Sequence, residues 1–147
     1  MNRMTLTEAE RADRNVVGLT LWGEARGEQI EGRIAVACVI HNRLIDGRWG
    51  SSYQAVCQAR KQFSCWNEDD PNRGKIDALA EQLERQSFIE PVIGECLWIA
   101  EGLIAGRFLP RVKHATHYHT RAIVPYWAHG AEVVATIGSH LFYEGVK

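Results

Sequence analysis

The stretch from Trp22 to Arg43, WGEARGEQIEGRIAVACVIHNR, constrains this chain more than any other. It opens with two carboxylates, Glu24 and Glu28, set beside an arginine and two glycines. It then runs into the apolar segment Ile34 to Ile40. A glycine-bearing polar turn joined to a buried segment suits a catalytic acid, because the buried part holds the side chain still while the turn opens it to a cleft. The competing reading is a charged surface connection between two helices, since such turns are common on protein exteriors.

The pattern around this stretch is helical. Thr5–Glu8 and Thr7–Glu10 each fit a capping box, and a helix from there to about Ala25 gathers Val17, Leu21, Trp22 and Ala25 on one face. Glu24 falls at the edge of that face, where partial desolvation is expected, and Gly27 is a natural terminator. The alanine-rich run from about Glu31 to Leu44 favours a second, buried helix. Asn42 and Arg43 close it, either complementing the helix dipole or buttressing the site. Ser51 or Ser52 can cap a short helix reaching about Arg60, and KQFSCW at 61–66 shows no periodicity. A loop over 67–74 precedes an amphipathic helix carrying Ile76, Leu79, Ala80 and Leu83. A further helix begins near Pro91, with Val92, Cys96, Ala100 and Leu103 facing inward, Trp98 assigned to the core, and Gly106 at its end. Strands are expected over 114–120, 132–137 and 141–143. The whole reads as one α+β domain over residues 1–147, mainly helical with a small irregular β region.

Composition narrows the functional classes. A net charge of -1 over 147 residues leaves no footprint for nucleic acid or an anionic membrane. No stretch approaches the roughly 18 apolar residues of a membrane span, so membrane insertion is not expected. The N-terminal MNRMTLTEAERADRN is polar and acidic, without the basic start and apolar run of a secretory signal, so a cytoplasmic location is expected until release. The four cysteines, at 38, 57, 65 and 96, form no C-x-x-C pair. Cys38 and Cys96 read as core residues; Cys57 and Cys65 are near enough in sequence to bridge, though a cytoplasmic product starts reduced.

WGEARGE followed by G-R-I-A-V-A-C-V-I-x-N-R resembles the opening block of the cell wall hydrolase family that includes the spore cortex-lytic enzymes. The likeness continues in Gln62–Trp66, Ala115–His119, Pro125–Trp127 and Ile137–Tyr143, in the family's order and across nearly the whole chain. The resemblance implies a lysozyme or lytic-transglycosylase-like fold and peptidoglycan glycan strands as the partner. It also implies Glu24 as the catalytic acid and cleavage between N-acetylmuramic acid and N-acetylglucosamine. With no secretory signal, the expected setting is a phage or prophage endolysin, monomeric in the simplest case and released by a separate holin-type protein.

Glycosidases usually place two carboxyl groups about a scissile bond. Glu28 lies too near Glu24 along the chain to flank a sugar ring easily, and is read as a supporting, substrate-side residue. One carboxyl suffices where the substrate supplies its own nucleophile, as in lytic transglycosylation. His114, His117 and His119 form H-x-x-H-x-H around Tyr118, a spacing that matches no zinc signature, and no metal or cofactor is expected. On a strand His117 and His119 share a face and His114 takes the other. They are read as cleft residues bonding sugar hydroxyls, with Tyr118 holding the sugar near Glu24. The alternative function is an N-acetylmuramoyl-L-alanine amidase or peptidase working through these histidines. Trp66, Tyr126 and Trp127 are candidate sugar platforms, against the commoner fate of aromatics in cores. Cys65 near histidines only weakly suggests a papain-like pair.

Overall fold

The computed structural model describes residues 5–87, 90–108 and 111–147. The first four residues of the polar N-terminal stretch lie outside them. Five α-helices come first: α1 Glu8–Ala25, α2 Ile30–Asp46, α3 Tyr53–Cys57, α4 Arg73–Glu84 and α5 Ile93–Ile104. Three strands follow, β1 His117–Thr120, β2 Glu132–Ile137 and β3 His140–Glu144. One-turn 3-10 segments stand at Ser64–Trp66 and Tyr126–Ala128.

Of the two possible capping boxes, Thr7–Glu10 forms. The Glu10 N–H donates to Thr7 Oγ1 at 3.1 Å, and the Thr7 N–H donates to Glu10 Oε1 at 3.0 Å. α2 is the central helix, with every residue from Ile34 to Ile40 buried. Its burial on all sides explains why the run reads as continuously apolar. α1 packs along α5 and α3 closes against both α1 and α2.

α3 is shorter than expected, ending at Cys57 rather than near Arg60. Lys61 takes φ +62°, which a right-handed helix cannot accommodate, and the chain turns back so that Phe63 enters the core. Trp98 is a correction. α5 turns Ile93, Cys96, Leu97, Ile99, Ala100 and Leu103 inward, which leaves Trp98 out of phase and 50% exposed. Its ring meets Phe108 edge-on at 5.6 Å.

The sheet is antiparallel in the order β1-β3-β2. β3 is buried on both faces, so it shows no alternation. Phe142 faces the helical core, while Tyr143 joins Ala128 and Val146 in a small second cluster against Trp127. The register Tyr118↔Phe142 puts Tyr118 on the helix-facing side. His117↔Tyr143 and His119↔Leu141 put both histidines on the other side, as the period-two argument expects. β1 begins at His117, because residues up to Ala115 belong to a turn in which the Ala115 N–H bonds Val112 O.

Candidate active site

Glu24 sits in the last turn of α1, and the neighbouring Gly23 explains its surroundings. A Cβ at Gly23 would lie 2.6 Å from Cys65 Cβ, so only glycine lets the Ser64–Trp66 turn close on α1 here. That approach aims the backbone N–H groups of Cys65 and Ser64 at the Glu24 carboxylate. Two influences compete. Burial, reinforced by the charge of Asp70, disfavours ionisation, and the hydrogen bonds favour it; burial prevails and Glu24 titrates above the usual carboxylate range. An acid held this way is ready to deliver a proton.

Glu24 opens into a cleft of about 450 Å³. Arg43, Gln62, Ser64, His117, Tyr118 and Trp127 are among its walls. Among the described residues lining it, Glu24 is the one acid. A roomier cleft of about 550 Å³ lies by His41, Asp46 and His114, away from Glu24. The chemistry, rather than the volume, identifies the first as the candidate site.

Arg43 holds the walls together. It is only 5% exposed, and its Nε donates to Thr116 O at 2.7 Å, tying α2 to the residue before β1. Its Nη1 donates to Gln62 Oε1 at 3.3 Å, and its guanidinium lies over Trp49 at 4.6 Å and Phe63 at 5.0 Å. Burial lowers its pKa to about 10, so it remains a cation at neutral pH. Arg43 therefore buttresses the cleft, beyond any effect on its own helix dipole.

His117 packs between Trp49 (5.6 Å) and Trp127 (5.0 Å) and shares a hydrogen bond with Thr116 Oγ1 at 2.9 Å. Burial, followed by the charges of Arg43 and Arg48, takes its pKa down to about 4, leaving a neutral imidazole. Burial and the nearby Glu24 raise the Tyr118 phenol well above its ordinary value, so it stays a protonated donor.

Three other expected site residues stand behind the cleft and do not line it. His119 is locked between Thr120 O, to which Nδ1 donates at 2.6 Å, and the Tyr143 hydroxyl at 2.7 Å. It backs Trp127 at 5.7 Å. Trp66 donates its Nε1–H to Thr20 Oγ1 at 2.9 Å and packs against the core, which anchors the turn that caps Glu24. Glu28 reaches across to the β2–β3 turn. Its Oε1 accepts from the Ser139 N–H at 3.0 Å and from Ser139 Oγ at 2.9 Å. His140 Nδ1 lies 3.3 Å from the same oxygen but makes no hydrogen bond to it, so the contact is electrostatic. Burial opposes the Glu28 charge, but Ser139, His140 and Arg33 outweigh it, and the carboxyl lies below its usual range. Gly138, at φ +57°, makes the turn possible; a Cβ there would come within 2.7 Å of Glu28 Oε1.

The histidines do not converge. His114 opens on the other cleft, with its N–H bonded to Glu144 Oε1 at 2.8 Å. Among the described residues no three His, Cys, Asp or Glu side chains gather to hold a metal. The four cysteines are free and buried. Burial raises the Cys65 thiol, the reverse of what an activated nucleophile needs. Among the described residues no helix is long and apolar enough to cross a membrane.

A buttressing role for Arg43 was one of the two readings open in the sequence, whereas Gln62 as its partner was not expected. A polar pair beside a catalytic motif was the available signal, but their contact needs the fold.

The cell wall hydrolase family matches residues 27–143, beginning just after Glu24. No curated protein matches the chain at a significant level. Among solved structures, it is similar to the catalytic domain of the germination-specific lytic transglycosylase SleB from Bacillus anthracis. That likeness has a TM-score of 0.64 at 18% identity, covering 97% of this chain and 100% of that one. The catalytic domain of the SleB protein from Bacillus cereus is similar too, with a TM-score of 0.64 at 19% identity, covering 97% of this chain and 98% of that one. These likenesses establish a shared fold. The family match spans most of the sequence, and the chain belongs to the cell wall hydrolase family.

Proposed function

We propose that this protein cleaves the glycan strand of peptidoglycan between N-acetylmuramic acid and N-acetylglucosamine by lytic transglycosylation, with Glu24 as acid and then base. The observation that carries this reading is Glu24 itself, the one acidic side chain among the described residues lining the cleft, its pKa raised by burial. The Glu24 carboxyl gives its proton to the glycosidic oxygen as the bond to C1 breaks, and the N-acetylglucosamine side leaves with a hydroxyl. The resulting carboxylate takes the proton of the muramic acid 6-hydroxyl as O6 bonds to C1. The product carries a 1,6-anhydro ring, Glu24 regains its proton, and no water is consumed.

Capture by the 6-hydroxyl is favoured because it is tethered to the reacting sugar. Effective concentrations in well-oriented cases reach about 10⁵ M or more. Capture by water needs a second base on the opposite face, and no other Asp or Glu side chain lines this cleft among the described residues. Tyr118 as a protonated donor, neutral His117 and the Trp127 ring are the groups we assign to holding the sugar. The likeness to a lytic transglycosylase fold supports the same reading.

The test is mass spectrometry of glycan released from purified walls. Anhydromuramic ends that resist borohydride reduction are expected. Uptake of labelled oxygen from water at a reducible muramic acid end would establish hydrolysis instead. New alanine amino termini on intact glycan would establish the amidase.

A further inference from the structure

A second cavity of about 440 Å³ adjoins the Glu24 cleft. Tyr126, Trp127, His129 and Gly130 are among its walls, together with Val146 and Lys147. Trp127, Val146 and Lys147 line both cavities, so the two lie side by side across these residues.

Trp127 is fixed from behind. Tyr143 meets it edge-on at 5.3 Å, and His119 supports it at 5.7 Å while bonded to Tyr143. Tyr126 is the opposite case. It is 92% exposed, and among the described residues its one ring contact is His129 at 6.2 Å. Ile123 and Val124 just before it are 71% and 62% exposed. An aromatic ring so little used in packing, within an exposed apolar segment beside a cleft, marks a binding surface.

We propose that this second cavity is an additional subsite for the glycan strand, in which Tyr126 stacks on a sugar beyond the ones held at Glu24. The proposal rests on the glycan-cleaving reading above. Its occupant follows from continuity: a polymer lying in the Glu24 cleft and passing over Trp127 enters this cavity next. The chemistry agrees. Sugar rings offer an apolar C–H face to an aromatic ring and hydroxyls at the rim. Here Tyr126 supplies the ring, while His129 and the backbone about Gly130 supply polar groups at the edge.

The test uses the inactive Glu24→Gln protein and peptide-free glycan oligomers from tetrasaccharide to octasaccharide, with affinity read by calorimetry. Affinity should rise once the oligomer outgrows the Glu24 cleft. Adding Tyr126→Ala should weaken binding of the long oligomers by about three- to tenfold, with a smaller loss on the short ones. Trp98→Ala, at an exposed aromatic on α5, should follow the parent. Long-oligomer affinity unchanged by Tyr126→Ala overturns the subsite. So does self-association without glycan that Tyr126→Ala abolishes, because the patch would then be a contact between copies. The products of the unmodified enzyme report on the underlying reading separately. If anhydro ends are missing while the length dependence still needs Tyr126, the bond chemistry is wrong and the subsite stands.

Discussion

Glu28 stands in the same short motif as Glu24, yet in the fold it holds the β2–β3 turn against the start of α2. Its Oε1 accepts the Ser139 N–H at 3.0 Å, and the single Ser139 hydroxyl hydrogen can serve either carboxylate oxygen, at 2.9 and 3.0 Å. That makes two charge-assisted bonds, on a side chain only 16% exposed. Each such bond is worth about 1.5–3 kcal/mol, and water that enters the truncated site recovers part of it. We therefore expect Glu28→Ala to lower unfolding free energy by about 2–4 kcal/mol. Glu28→Gln keeps one acceptor oxygen for the backbone N–H and should lose about 1 kcal/mol. Urea denaturation reads both as a shifted midpoint at constant slope. The folded Glu28 pKa is depressed, so its contribution is present above the unfolded value near 4.5 and is lost as pH falls through the folded value. The difference between wild type and Glu28→Ala should accordingly shrink in acid. Folded Glu28→Gln should retain measurable lytic activity. A Glu28→Ala midpoint equal to wild type would refute the latch. Loss of activity as complete as that of Glu24→Gln, at unchanged stability, would return Glu28 to the reaction.

Glu24→Gln should abolish turbidity loss on purified walls while leaving circular dichroism unchanged. Because the folded Glu24 pKa is raised, its ionised form destabilises the fold once pH rises through that value, so the same variant should melt higher than wild type at neutral pH; an equal or lower melting temperature would contradict the burial argument. The free-enzyme rate on soluble glycan should decline as pH rises through the Glu24 pKa, which a pH profile of kcat/KM reads. Arg43→Lys loses the fork that reaches both Thr116 O and Gln62 and the stacking on Trp49 and Phe63, and should destabilise by about 1–3 kcal/mol in the same urea assay. Prolonged chelation should leave lysis intact, and recovery of lost activity on adding zinc would favour the amidase chemistry.

Much of this protein is legible in its amino-acid order, because local physics carries it. The Thr7–Glu10 box starts α1, and the three- and four-residue spacings of α4 and α5 select their buried sides. The position of Glu24 at the edge of an apolar stripe already implied desolvation, and the pairing of His117 with His119 on one face follows from the two-residue period of a strand. What the order of residues could not show are relations between distant segments. Glu28 and Ser139 are 111 positions apart, and Arg43 and Thr116 are 73 apart. Nothing local distinguishes a carboxylate that latches a turn from one that meets a sugar, or an arginine that ends a helix from one that braces a cleft. The aromatics were sorted in the same way. Trp66 was drawn to Thr20, Trp127 was left in the groove wall, and Trp98, in an apolar helix, was turned outward. Each ring is equally apolar in sequence, and only the packing of α1, α5 and β3 around it decides which surface is left to water.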